Sequence, residues 1–226
     1  MTTALSIAGV KVYIDDATAT WACPFESVDA DGCEDTYRIG GGGRDYLANA
    51  YKIARKKGNP DYREWYEPGF KGWGGGALVD KKSGLPLVQG KAPGSPLEKG
   101  DYLVSPTALG DRTKPGHDQS RYLDAATVPY VAVPKALLAA GVNLGDLVLV
   151  AALDRAVGAL VGDVGPGLGE GSIALAEALG VPPSPRSGGD SERLVSWTVY
   201  LGTSKPWPRD LAEIQATVMR LAGRKP

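Results

Sequence analysis

The sequence predicts a mainly β protein: a small barrel with long N-terminal loops and two or three helices. The chain has 226 residues, 43% of them hydrophobic, which is enough for a buried core. Its 31 glycines and 17 prolines favour short strands joined by many turns. Apolar stretches of strand length recur at short intervals after residue 76. A barrel with inserted loops accommodates these features economically.

The first 76 residues are predicted to be largely irregular. Residues 10–16 (VKVYIDD) alternate apolar and polar side chains, which predicts a strand. Four glycines at 40–43 precede a segment, 44–58, that could form a short helix. The aromatic-rich stretch 62–76 (YREWYEPGFKGWGGG) either packs into a core or presents flat rings on which sugars stack.

The barrel core and a C-terminal helix are predicted within residues 77–226, as part of a single catalytic domain spanning 1–226. Apolar stretches there predict six or more strands. They are ALVD (77–80), LPLVQG (85–90), DYLVSP (101–106), YVAVP (130–134), DLVLVAAL (146–153), AVGALVGDVG (156–165) and RLVSWTVYLGT (193–203).

Two segments have helical signatures. SIALAEALG begins at Ser172, a good N-cap, and ends at Gly180, a good C-terminal cap. The stretch 205–223 has proline near its start, acids in its first turns and glycine at its end. Its apolar residues follow helical spacing at Leu211, Ile214, Val218 and Leu221.

Composition argues against several classes of function. Basic and acidic residues number 25 and 26, and no basic block suggests nucleic-acid binding. No apolar run approaches the roughly 20 residues of a membrane span. One histidine and two cysteines are too few for a Cys/His zinc site. Cys23 and Cys33 could form a disulfide or remain free.

The glycine-rich loop in VGDVGPGLGEGSIALAEALG (161–180) holds two acids, Asp163 and Glu170, before the first predicted helix. A phosphate cradle is disfavoured because the glycine spacing does not match GxGxxG and Pro166 lacks a backbone donor. A general acid and base pair is possible, because such acids can straddle a cleft. On local grounds Asp163, ending an apolar strand, suits the acid, and Glu170, near a helix start, suits the base. A plain turn is the remaining alternative, and spacing alone favours it.

Several motifs occur in order: VDADG, LDAATVPYVAVP, GDLVLVAA and the GD-x-GP…GE-x-SIALA element. Together they resemble the glycoside hydrolase family 75 chitosanases, from about residue 25 to 215. The resemblance implies inverting cleavage of β-1,4 links in chitosan, with Asp163 and Glu170 as interchangeable catalytic acid and base and no metal or organic cofactor. It also implies a six-stranded double-psi barrel. Two departures are the short Gly-Leu stretch after Pro166 and the absence of a visible signal peptide, although the family is mostly secreted.

Further substrate contacts are predicted with help from this resemblance. Asp29 and Asp31 in VDADG line the cleft on this view; otherwise they belong to a polar turn or an incomplete calcium loop. Asp124 is either a cap or a subsite residue. Tyr130 is a weaker candidate, and Arg186 could contact substrate or position a carboxylate through a bidentate pair.

We therefore expect an endo-acting inverting glycoside hydrolase that acts on chitosan or a related amino-sugar polysaccharide. We expect a monomer whose partner is the polysaccharide, without nucleic-acid or membrane partners. Two alternatives remain: a non-catalytic module that binds carbohydrate or peptidoglycan, and a cell-wall lytic enzyme on the same fold.

Overall fold

The computed structural model describes residues 2–52, 64–67, 69–152 and 154–225. Within these residues the protein is mainly β, as predicted, with nine strands in one sheet. The strands are β1 (Thr3–Ile7), β2 (Val10–Ile14), β3 (Thr18–Phe25), β4 (Ser27–Asp29), β5 (Tyr130–Ala132), β6 (Leu147–Ala152), β7 (Arg155–Asp163), β8 (Glu170–Ser172) and β9 (Asp190–Tyr200).

The sheet is mixed and open, with the order β1-β2-β3-β9-β6-β7-β5-β8-β4. Neighbours are antiparallel except for the parallel pairs β4–β8 and β5–β7. The expected closed six-stranded barrel is not found, because the described edge strands β1 and β4 do not pair with each other. At the N-terminal end of the sheet, the predicted β2 is joined by β1 and β3, which the sequence did not predict.

Three α-helices lie in the described residues: α1 (Lys135–Ala139), α2 (Ile173–Leu179) and α3 (Leu211–Leu221). The predicted caps of α2 are confirmed. The Ser172 side chain accepts a hydrogen bond from the Leu175 N–H, and Gly180 closes the helix with a left-handed φ of 70°. None of the helices in the described ranges has the length and apolar character needed to cross a membrane.

Helix α3 packs against β7 and buries Ile214, Val218 and Met219. Leu211 and Leu221, predicted for the same apolar face, stay 37% and 46% exposed at the two ends of the helix. Asp210 caps the helix by accepting hydrogen bonds from the first-turn N–H groups. Two of the four predicted positions, Ile214 and Val218, therefore lie on the packed face.

The chain divides into two compact units. The sheet unit comprises Met1–Asp29, Ala108–Asp111 and Ala125–Pro226, and contains all nine strands and three helices. The loop unit comprises Ala30–Thr107 and Arg112–Asp124. A single catalytic domain spanning 1–226, with an irregular part at 1–76 and the core at 77–226, stays a prediction.

The loop unit contains short 3-10 turns at Leu47–Ala50 and Gln119–Arg121. The strands predicted at 77–106 form only isolated bridges, such as Val79 with Pro86. Of the helix predicted at 44–58, residues 53–58 lie outside the described part of the chain. The described residues of the aromatic stretch pack around Trp73, which is 2% exposed, so they serve a core.

Both cysteines are buried and free. Cys23 lies on β3 in the sheet unit, where burial first of all raises the pKa of its thiol to about 11. Cys33 belongs to the loop unit. Of the two states that the sequence left open, the structure therefore has the reduced one.

Candidate active site

The two candidate catalytic acids flank one residue of the sheet. Asp163 ends β7 and pairs with Ala132 of β5, and Glu170 begins β8 and pairs with the same Ala132 from the other side. Residues directly opposite one another on neighbouring strands project to the same face. The two acids therefore share a face, with their Cα atoms two strand spacings apart, about 10 Å.

A β-bulge puts Asp163 in this position. Tyr130 and Val131 pair regularly with Leu160 and Val161, but the register then shifts so that Ala132 meets Asp163. Without the shift, the partner of Ala132 would be the intervening glycine, and the Asp163 side chain would project to the opposite face. The bulge is thus the local feature that aims the carboxylate at its partner.

Very small residues occupy the space between the two acids. Ala132 has only a methyl group, and the Gly165 N–H donates to the Val133 carbonyl at 3.2 Å, which fixes the glycine beside it. A Cβ atom on Gly165 would overlap the Glu170 Oε2 atom. The Glu170 side chain therefore leans inward over Gly165, and the absence of bulk at both positions leaves room between the carboxylates.

The Asp163 carboxylate is held by two backbone donors. Its Oδ1 atom accepts hydrogen bonds from the N–H of Val164 at 2.7 Å and of Ala108 at 2.9 Å. Burial raises the pKa of Asp163, and the two hydrogen bonds oppose that rise because they favour the charged form. The backbone around Asp163 is thus arranged to stabilise a carboxylate.

Glu170 has a more strongly perturbed acidity. Burial, and after it the negative charge of Asp163, raises the pKa of Glu170 to about 7. Its position just before α2 would favour the anion, but burial outweighs that influence in a helix of only seven residues. A pair of interacting acids with unequal environments is a common arrangement in acid–base catalysis.

The raised pKa of Glu170 predicts a pH-dependent stability. Between the ordinary value of 4.5 and about 7, the folded protein binds more protons than the unfolded chain, so the free energy of unfolding falls as pH rises. The fall amounts to about 3 kcal/mol, from 1.36 kcal/mol per unit of pKa. Urea unfolding of wild type and Glu170→Gln from pH 4.5 to 8 should show the variant gaining relative stability as pH increases. If the free energies of unfolding of the two proteins depended on pH in the same way, a buried Glu170 with a raised pKa would be contradicted.

Asp29 lies close to this pair. A carboxylate oxygen of Asp29 and one of Asp163 lie within 4.8 Å of each other. Their strands, β4 and β7, are three places apart in the sheet, which would separate them by about 14 Å if the sheet were flat. The sheet is therefore strongly curved across these strands, and Asp29, Asp163 and Glu170 lie on its concave face.

Two of the other predicted substrate-binding residues, Asp31 and Asp124, belong to the loop unit. In the loop unit, Asp31 accepts hydrogen bonds from Ser105 Oγ at 2.7 Å and Tyr37 OH at 2.9 Å. Asp124 is half-buried at the end of that unit.

Within the sheet unit, Tyr130 is fully buried on β5, which favours packing over substrate contact. Arg186 is half-buried in the loop between α2 and β9. Substrate-binding roles for Tyr130, Arg186 and the loop-unit acids Asp31 and Asp124 stay predictions.

Sequence reasoning missed the residues that shape the space around the acids. These residues are Ala132, Gly165 and Ser27, and none of them is of a type that indicates a catalytic site. Ser27 lies on β4, where it pairs with Glu170. The strand register reveals Ala132 and Ser27, and the close approach of Glu170 to the Gly165 Cα reveals Gly165. A separate groove of about 640 Å³ is lined by Gly9 and by residues of β2, β3 and β9. None of its described lining residues is acidic, so it lacks the carboxyl pair of the candidate site.

No family model matches this chain, and no curated protein gives a significant match to it. What Asp163 and Glu170 do must therefore be inferred from their geometry and chemistry, with the motif resemblance beside them.

Proposed function

We propose that this protein is an endo-acting inverting glycoside hydrolase of chitosan or a related amino-sugar polysaccharide. The observation that carries the proposal is the pair of buried acids, Asp163 and Glu170, on one face with only Ala132 between them. Inverting glycosidases need two carboxyl groups roughly 6.5–9.5 Å apart, so that a water fits beside the sugar. Cα atoms about 10 Å apart, with Glu170 leaning inward, are compatible with that range.

The environments of the two acids favour distinct roles. Glu170, with its pKa raised to about 7, is protonated in mildly acidic solution and acts as the general acid that protonates the glycosidic oxygen. Asp163, whose charge two backbone N–H groups stabilise, acts as the general base that takes a proton from the attacking water. This assignment reverses the one that the local sequence favoured, because burial of Glu170 outweighs the helix dipole.

The charge of the concave face supports an amino-sugar substrate. Asp29 adds a carboxylate within 4.8 Å of that of Asp163. A deacetylated sugar carries an ammonium group on C2, next to the reacting C1 atom, so it would contact this negative region as the bond breaks. An uncharged polysaccharide would gain no such attraction.

The test is incubation of the purified protein with highly deacetylated chitosan at pH 5–6. We expect new reducing ends, an early fall in viscosity from internal cleavage, and products that first appear as the α-anomer by NMR. Folded protein that releases no reducing ends would overturn the proposal. Saturable binding without release would favour a non-catalytic module, and clearing of peptidoglycan with chitosan untouched would favour a cell-wall lytic enzyme.

A further inference from the structure

We infer that Ser27 on β4 contacts the leaving-group sugar and that the polymer crosses the sheet edge there. The inference rests on the proposed function and extends it to a specific subsite. Ser27 pairs with Glu170 on the side of β8 away from Ala132. One row of opposed residues therefore runs Ser27, Glu170, Ala132, Asp163 across four neighbouring strands.

The chemistry of inversion gives this row a direction. Water attacks the face of C1 opposite the leaving group, so the base lies on one side of C1, and the departing oxygen and the acid lie on the other. With Asp163 as base and Glu170 as acid, the sugar that contributes C1 lies over Ala132. The departing oxygen meets Glu170, and the sugar attached to that oxygen extends toward β4.

The surroundings of Ser27 suit such a contact. Ser27 is exposed, whereas the next residue, Val28, is buried and Asp29 is half-buried, so the row opens to solvent at Ser27. In the described sheet β4 is an edge strand. A serine hydroxyl can donate to one sugar hydroxyl and accept from another.

The backbone at this position is anchored independently of the Ser27 side chain. The N–H groups of Glu26 and Ser27 both donate to the Gly169 carbonyl, at 2.7 and 3.3 Å. The residue after that carbonyl is Glu170 itself. A substitution of the exposed hydroxyl therefore leaves in place the hydrogen bonds that hold β4 against the start of β8.

Two substrates separate a leaving-group contact from a general defect. Chitosan places a sugar on the leaving-group side, whereas a β-chitobiosyl fluoride has only a fluorine atom there, which departs as fluoride. Ser27→Trp should lower kcat/KM on chitosan at least about ten-fold by filling the subsite, and Ser27→Ala about two- to ten-fold by removing a hydrogen bond. Both variants should hydrolyse the fluoride within two-fold of wild type. Ser6→Trp, an exposed serine on the opposite edge strand, is the matched control and should change neither rate.

The outcomes distinguish this inference from the proposed function. Unchanged chitosan rates in both Ser27 variants, or equal losses on both substrates with an unchanged melting temperature, would overturn the Ser27 subsite while leaving the hydrolase intact. A folded wild type that cleaves neither substrate would overturn the proposed function, and the subsite with it. A loss confined to chitosan supports both.

Discussion

Conversion of either buried acid to its amide is expected to reduce chitosan hydrolysis by about 10²–10⁴-fold, the usual contribution of a positioned proton-transfer group. Glu170→Gln cannot protonate the departing oxygen, and Asp163→Asn cannot accept a proton from water. Both amides preserve side-chain shape, so the loss measures proton transfer. Initial rates of reducing-end release at pH 5–6 provide the measurement, with melting temperatures to verify folding.

The matched control is Glu177→Gln, which makes the same chemical change at an exposed position of α2. It should retain full activity, because Glu177 lies away from the row of residues that includes the catalytic pair. Full activity in both Glu170→Gln and Asp163→Asn would contradict the assignment of this pair. Full activity in only one would remove that acid from the proposed mechanism.

The same variants separate the roles of the two acids. A fluoride leaving group departs without strong protonation, so Glu170→Gln should retain hydrolysis of β-chitobiosyl fluoride while losing chitosan. Asp163→Asn should lose both substrates, because water still requires a base. The opposite result would restore the assignment that the local sequence favoured, with Asp163 as acid and Glu170 as base.

Local pattern was sufficient to predict elements whose signal lies within one stretch. Strands β2, β6, β7 and β9 have apolar runs of adequate length, and α2 and α3 have both periodicity and caps. Asp163 and Glu170 were identified as candidates because two acids in a glycine-rich loop form a conspicuous local feature. Each of these predictions depended on neighbours within about twenty residues.

The pairing of distant strands was not predictable in this way. Thr18 of β3 lies opposite Tyr200 of β9, and nothing in either segment specifies the other. Strands β4 and β8 have three residues each, which is too short for any alternation to be recognised. The register of these strands determines that Ala132 separates the acids and that Ser27 flanks Glu170. The shape of the site could therefore not be predicted from the sequence.

The strands predicted at 77–106 show the opposite error. The apolar residues that predicted these strands are present, but glycine and proline residues divide them into short segments, as at Gly84 and Pro86. Proline lacks the N–H that a ladder needs, so pairing stops at isolated bridges such as that of Val79 with Pro86. These apolar residues are instead used in the compact core of the loop unit, to which Val88 and Leu103 belong.

Gly165→Ala is expected to impair catalysis about 100-fold although it adds one methyl group, since small misplacements of catalytic groups can cost that much. The new Cβ would overlap Glu170 Oε2 and lie 3.3 Å from the Cβ of Ala132. The Glu170 carboxylate would have to move away from the space between the acids. Because Gly165 does not have a left-handed φ, alanine is conformationally acceptable there, and the effect comes from the contact alone.

Gly167→Ala tests whether that reasoning is specific, because it adds the same methyl group to the same loop. A Cβ at Gly167 would meet no atom within 4 Å, and its φ also lies outside the left-handed region. Its kcat/KM on chitosan should therefore match wild type, whereas that of Gly165→Ala falls. A displaced Glu170 would also lie farther from Asp163 and be more solvated, so its pKa should fall. The alkaline limb of the pH–rate profile, which reports deprotonation of the general acid, should therefore move to lower pH in Gly165→Ala alone. Equal rates and profiles for the two variants would mean that the space between the acids is not where the sugar reacts.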